Sequence, residues 1–175
     1  MMGKIIFYED KNFGGRHHEC MSDVADIQTT FNRCQSIRVE SGMFVIYDRP
    51  NFLGHQHFLR KGEYCDSMSM LGMSDSVKSC RMIPMHRSNY MMRLYENSDM
   101  GGQMMDLDND CPNCMDRFRM SIFNSCNVID GHWLLYDQAN YRGRHYYLRP
   151  GEYRRYSDWG AMSSKVGSIR RLMDL

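Results

Sequence analysis

Apolar residues in this chain come in short bursts rather than long runs. The densest are Lys4-Ile5-Ile6-Phe7-Tyr8, Met43-Phe44-Val45-Ile46-Tyr47 and Trp133-Leu134-Leu135-Tyr136. Such runs are rich in β-branched and aromatic side chains, which favour extended backbone. Each leads into a polar segment ending in glycine. Gln56-His57-Phe58-Leu59 and Arg144-His145-Tyr146-Tyr147-Leu148 then resume as strands beyond two of them. The pattern predicts β-strands joined by folded-over hairpins. No stretch approaches the roughly 18 apolar residues of a membrane-spanning helix.

The hairpins repeat. A Tyr is followed by an acid, then an aromatic or Met five residues after the Tyr, then Gly two residues later. The copies are Tyr8-Glu9…Phe13-Gly14-Gly15, Tyr47-Asp48…Phe52-Leu53-Gly54, Tyr95-Glu96…Met100-Gly101-Gly102 and Tyr136-Asp137…Tyr141-Arg142-Gly143. A serine follows 21 to 25 residues after the last glycine of each: Ser36, Ser79, Ser125 and Ser168. Gly15, Gly54, Gly102 and Gly143 are the expected positive-φ residues of the hairpins. The serine hydroxyls are expected to hydrogen-bond the hairpin backbone and tie it down.

The copies alternate. The first and third carry Glu and a Gly-Gly pair. The second and fourth carry Asp, followed later by Gly62-Glu63-Tyr64 and Gly151-Glu152-Tyr153. Tyr8 to Tyr95 is 87 residues and Tyr47 to Tyr136 is 89, so the order is A-B-A′-B′, a two-motif domain duplicated. One copy is too short to bury an apolar face alone, so two must pair as a sandwich of antiparallel sheets. The fold class is all-β, with two β-sandwich domains at 1–83 and 90–175. The polar, proline-bearing segment 84–89 is the expected linker.

Composition fits this picture. The 175 residues are 42% apolar and 25% charged, ordinary for a globular protein, with a formal net charge of +1. Basic and acidic residues are interspersed, so no stripe points to nucleic acid. The opening Met1-Met2-Gly3-Lys4-Ile5-Ile6 meets Glu9 and Asp10 too soon for a secretory leader, which makes the cytoplasm the expected location. Seven cysteines, an odd number, are expected as reduced thiols.

The fourfold Tyr-x-x-x-x-aromatic-x-Gly with its later serine resembles the βγ-crystallins over the whole chain. Arg142-Gly143-Arg144…Leu148-Arg149-Pro150-Gly151-Glu152-Tyr153-Arg154-Arg155-Tyr156 and Asp158-Trp159-Gly160-Ala161 are similar to the last motif of γ-crystallins. The methionine load resembles the methionine-rich γM group of fish lenses. The resemblance implies two Greek-key domains, tyrosine corners at Tyr64 and Tyr153, and a structural role in the lens rather than catalysis. It implies a monomer in lens fibre cytoplasm, without cofactor, nucleic acid or membrane, in weak contact with like molecules and other lens crystallins. By motif position it also implies domain docking through Val45, Phe58 and Ile83 in one half and Leu134, Tyr147 and Leu172 in the other; half-core packing is the alternative. The family's second and fourth motifs usually each carry two core tryptophans. Trp133 and Trp159 match them here, while the same offsets in the second motif give Phe44 and Met70. The first domain is therefore expected to be the less stable.

Other candidate chemistry is thinner. Cys111-Pro112-Asn113-Cys114 has the spacing of a redox or zinc half-site, but follows an acidic, turn-like run and is expected as a surface-loop pair. His17-His18 and His55-x-His57 offer no evident third metal ligand. Calcium binding is the alternative function: many family domains use Asn/Asp-Asn/Asp-x-x-Ser/Thr-Ser. The stretches before Ser36 and Ser79 keep one acid or amide position, Asn32 and Asp75, and lack the penultimate hydroxyl.

Two biases remain, 18 methionines and 17 arginines against 5 lysines. A core of this size cannot hold so many methionines. Clusters at Met68, Met70 and Met73, at Met91-Met92 and at Met104-Met105 point to exposure. Thioether sulfur is polarisable and guanidinium delocalised, so both raise refractive index per unit mass.

Overall fold

The computed structural model describes residues 3–86 and 88–173. Met1 and Met2 of the expected leaderless start, and Arg87 of the expected linker, lie outside the described residues. The chain forms two compact units, Met1–Pro84 and Met85–Leu175.

In the first unit the strands are β1 Lys4–Tyr8, β2 His17–Cys20, β3 Ser36–Ser41, β4 Met43–Arg49, β5 Leu53–Leu59, β6 Gly62–Tyr64 and β7 Ser79–Ile83. They make one antiparallel sheet in the order β2-β1-β3-β6 and a second in the order β5-β4-β7. The first sheet thus takes three strands from the first copy and its edge strand from the second. The second sheet is built from the second copy and gains a Val24–Cys80 bridge from the first. Each copy lends a segment to the other, the crossing that makes a Greek key. A short helix α1, Ser67–Leu71, capped by the Asp66 carboxylate on the Ser69 N–H, links β6 to β7.

The second unit repeats this plan. Its strands are β8 Met91–Asn97, β9 Gly101–Leu107, β10 Ser125–Asp130, β11 Trp133–Gln138, β12 Arg142–Leu148, β13 Gly151–Tyr153 and β14 Ser168–Arg171. The sheets run β13-β10-β8-β9 and β12-β11-β14, with a Cys111–Ile169 bridge in the place of Val24–Cys80. Helix α2, Cys114–Phe118, precedes β10, and a 3-10 turn at Tyr156–Trp159 follows β13.

Each unit has its own core between its sheets. Ile5, Phe7, Ile37, Phe44, Ile46 and Leu59 centre the first; Met92, Leu94, Phe123, Trp133, Leu135 and Trp159 centre the second. The alternation of β4 sends Phe44 and Ile46 inward and Val45 to the opposite face. Val45, Ile83, Leu134, Tyr147 and Leu172 are buried and Phe58 is half-buried, yet none belongs to either core. Val45 lies across from Phe58, and Leu134 across from Tyr147.

Two expectations about methionine need correction. Met70 does not take the place of Trp159: it is 52% exposed, while Trp159 is 2% exposed. Leu71 and Met73 pack on the first core instead. The cause is local geometry, since α1 turns every 3.6 residues and the 3-10 turn at Trp159 every 3.0, so equal offsets face different ways. The methionine clusters are also not uniformly exposed. Met73, Met92 and Met105 are buried, because strand alternation and the turn after α1 send one member of each inward.

Candidate functional site

The recurrent built feature is a clamp at each hairpin. Ser36 Oγ accepts the Phe13 N–H at 2.9 Å and donates to the Asp10 carbonyl at 2.5 Å. Ser79 does the same with Phe52 N–H (3.0 Å) and the Arg49 carbonyl (2.6 Å). Ser125 joins Met100 N–H (3.0 Å) to the Asn97 carbonyl (2.6 Å). Ser168 joins Tyr141 N–H (2.9 Å) to the Gln138 carbonyl (2.6 Å). All four serines are fully buried. Each hydroxyl uses one acceptor site and its one proton.

What the clamp holds is strained. Asn12-Phe13, Asn51-Phe52, Asp99-Met100 and Asn140-Tyr141 are consecutive left-handed pairs, with φ between 56° and 62°. Left-handed backbone costs an L-residue roughly 1–2 kcal/mol, less for Asn and Asp, which explains the Asn or Asp at the first place. Gly15, Gly54, Gly102 and Gly143 then supply the next positive φ, at 75°, 86°, 74° and 81°. At Gly54 a Cβ would overlap the Asp48 carboxylate, and at Gly143 that of Asp137. Those carboxylates are needed where they are: Asp48 accepts the His55 N–H at 2.9 Å, and Asp137 the Arg144 N–H at 3.0 Å. Glu9 and Glu96 meet Arg16 and Gln103 in the same way at 3.4 and 3.5 Å. The Arg16 guanidinium holds the Glu9 carboxyl below the usual carboxylate range.

A third part was not read from the sequence. Arg38 lies over the Phe13 ring at 4.0 Å, Arg81 over Phe52 at 3.6 Å and Arg170 over Tyr141 at 3.9 Å. Each arginine stands two residues after its clamp serine. The third copy departs on both sides, with Asn127 at that place and Met100 as the hairpin residue. The signal was present as a fixed Ser-x-Arg, and it accounts for part of the arginine excess.

The remaining candidates fall into place around this frame. Tyr64 Oη donates to the Arg60 carbonyl at 2.8 Å and Tyr153 Oη to the Arg149 carbonyl at 2.9 Å, each closing a tight corner after its strand. His55 Nδ1 is 3.0 Å from Asp48, and His57 is held below the ordinary histidine pKa by burial and by His55. Among the described residues no three His, Cys, Asp or Glu side chains converge as a metal cluster. Asn32 and Asp75 line a cleft of about 10 Å³, room for about one water, together with Arg33 and Lys78, whose charges oppose a cation. Ser36 and Ser79, the last residues of the two calcium-like stretches, have their hydroxyls committed to clamps.

Cys111 and Cys114 are not a surface-loop pair. Both are fully buried, with Sγ atoms 3.8 Å apart. Asp106, Asp108 and Asn109 before them are exposed, but Leu107 is buried and the bridge from Cys111 to Ile169 turns the chain inward. At the surface stand Met21, Met68, Met70, Met104, Met115 and Met162, each at least 47% exposed.

Comparison with known proteins gives one consistent result. The Beta/Gamma crystallin family model matches residues 4–83 and 91–172. Gamma-crystallin M3 of Cyprinus carpio is 58% identical over 174 residues, 99% of each chain. Gamma-crystallin S-1 of Chiloscyllium indicum is 57% identical over 173 residues, 99% of this chain and 100% of the relative. Gamma-crystallin M2 of the same species is 54% identical over 173 residues, 99% of this chain and 98% of the relative.

Proposed function

Because the chain belongs to the beta/gamma-crystallin family, we propose that it is a structural constituent of the eye lens, giving high refractive index and transparency at very high protein concentration. The observation that carries this reading is the end-to-end likeness to gamma-crystallins, M types included. The surface supports it. Thioethers and guanidinium groups raise the polarisability of each unit mass, and scarce lysine lowers the number of tightly hydrated ammonium groups. A net charge of +1 leaves little repulsion to keep molecules apart.

In this reading the protein is not an enzyme and needs no cofactor. It is a monomer in the cytoplasm of lens fibre cells, in weak contact with its own kind and with other crystallins. Its domains are 1–83 and 90–175, joined by 84–89. Val45, Phe58 and Ile83 in the first unit and Leu134, Tyr147 and Leu172 in the second hold matching repeat positions and lie outside the core of their own unit.

The test is the refractive index increment of the purified protein. It is expected above the mean for soluble proteins, and replacing Met21, Met68, Met70, Met104, Met115 and Met162 by leucine should lower it. An increment at that mean, or scarcity of the protein in lens tissue, overturns the reading.

A further inference from the structure

Cys111 and Cys114 take no part in the hairpin clamps, and an optical role does not call for a sulfur pair at this place. The backbone around them is pinned. Cys111 exchanges both backbone hydrogen bonds with Ile169, at 2.8 and 2.9 Å. The Pro112 carbonyl accepts the Asn140 N–H at 2.8 Å, and the Cys114 N–H donates to the Gly167 carbonyl at 2.9 Å. The Asn113 side chain caps the Asp116 N–H at 3.1 Å. The Sγ atoms stand 3.8 Å apart on this held main chain, against a disulfide length of about 2.05 Å.

The internal repeat provides a control. Tyr8 to Val24 and Tyr95 to Cys111 are both 16 residues; Tyr8 to Ile27 and Tyr95 to Cys114 are both 19. Val24 bridges Cys80 as Cys111 bridges Ile169, and the Ile27 N–H donates to the Lys78 carbonyl at 2.8 Å as that of Cys114 donates to Gly167. Ile27 lies in the first core and Val24 packs against it. Aliphatic side chains therefore fill this place in the first unit, and packing alone does not require sulfur at both positions.

The two thiols are also unequal. The Cys114 thiol beside it lowers the Cys111 pKa, and the Arg117 guanidinium acts in the same direction. Cys111 and burial push the Cys114 thiol up. Each sulfur is the other's partner at 3.8 Å, so the remaining thiol stabilises a first thiolate of the pair, while burial and the first charge oppose a second.

We propose that Cys111 and Cys114 form a reversible thiol–disulfide exchange site whose substrates are small disulfides of the glutathione type. The Cys111 thiolate attacks one sulfur of the small disulfide, whose S–S bond breaks, and one small thiolate leaves. Cys114 gives its proton to solvent and attacks Cys111 Sγ, and the second small thiolate leaves. The protein gives up two electrons and two protons, and one small disulfide becomes two small thiols. Both sulfurs are buried, so each cycle waits on a local opening beside the exposed Pro112.

The test equilibrates the full chain in buffers of graded oxidised-to-reduced glutathione ratio, followed by acid quench, alkylation and peptide mass measurement. The peptide carrying Cys111 and Cys114 should lose two hydrogens at a ratio roughly tenfold lower than that which modifies any other cysteine. Excess reduced glutathione should restore it. Cys114→Ser should accumulate a glutathione mixed disulfide on Cys111. Cys111→Val with Cys114→Ile, the residues found at the matching places of the first unit, should keep the native circular dichroism and take up nothing at this segment. The proposal is overturned if any of the other five cysteines, Cys20, Cys34, Cys65, Cys80 or Cys126, oxidises first. It is equally overturned if Cys111 and Cys114 oxidise only in denaturant, or if Cys114→Ser traps no mixed disulfide.

Discussion

Removing one clamp hydroxyl should unfold one unit early, and Ser168→Ala makes the loss measurable. Ser168 is fully buried and serves two backbone groups, the Tyr141 N–H and the Gln138 carbonyl. Alanine fills the space of the methylene and leaves both groups without their partner. An unsatisfied buried group costs about 1–3 kcal/mol. The two would cost about 2–6 kcal/mol together if nothing relaxed. The Asn140-Tyr141 pair, at φ 61° and 59°, is free to relax once the hydroxyl is gone, which recovers part of the loss. The expected net effect is about 2–4 kcal/mol. With a urea slope of about 1.5 kcal/mol/M for a unit of this size, the midpoint should fall by about 1.3–2.7 M. Trp133 and Trp159 are the two tryptophans of the chain and both lie in this unit, so urea unfolding followed by tryptophan fluorescence reads it directly. Ser163→Ala, at an exposed serine, is the control. A loss below about 0.5 kcal/mol for Ser168→Ala, or an equal loss for the control, would refute the clamp energetics.

Three further outcomes are expected. Arg81→Ala should destabilise the first unit by about 1 kcal/mol, and Arg81→Lys should recover little of it, because the flat stack on Phe52 at 3.6 Å suits guanidinium and not ammonium; equal stability of the Lys variant and the parent in thermal melts would sink this assignment. Burial, then His86 and Arg149, lower the His132 pKa to about 4, below its ordinary 6.5, so the unfolded chain takes up a proton first and stability falls as pH drops from 6.5 toward 4; His132→Asn should remove up to one proton from that slope in pH-dependent urea titrations, and an unchanged slope would argue against it. The first unit, with no tryptophan and with Met70 outside its core, should unfold before the second, giving an early phase seen by circular dichroism and silent in tryptophan fluorescence; an early fluorescence phase would contradict this order.

The parts visible in the sequence are those whose residue identity follows from local backbone geometry. A positive φ against a packed carboxylate leaves little choice but glycine at 54 and 143, and a doubly engaged buried hydroxyl makes serine conspicuous at 79 and 168. Asn12, Asn51, Asp99 and Asn140 carried a local signal too, that of residues tolerant of left-handed backbone, but it was not read. The stacks of Arg38, Arg81 and Arg170 were hidden for a different reason. Ser-x-Arg has meaning only once the hairpin has folded over and brought the aromatic ring of its turn onto the arginine. Cys111 and Cys114 were misplaced because the neighbouring Asp106 to Asp110 suggested solvent, whereas the depth of a segment is set by its hydrogen-bond partner. Met70 was misplaced because offsets carry over between repeats only when the local helix type does as well.

The serine of each clamp arrives late. In a growing chain, the Tyr8–Gly15 hairpin is made before Ser36 exists to hold it, and the sheet it starts lacks an edge until Gly62–Tyr64 follows. All four hairpins wait for the same chemical group, a hydroxyl entering on the last strand of its copy. A serine from another copy, or from a neighbouring molecule, offers the same group. At crowded concentrations the repeat that lets a short motif build a whole protein is thus also a route by which partly opened molecules exchange strands and join into chains.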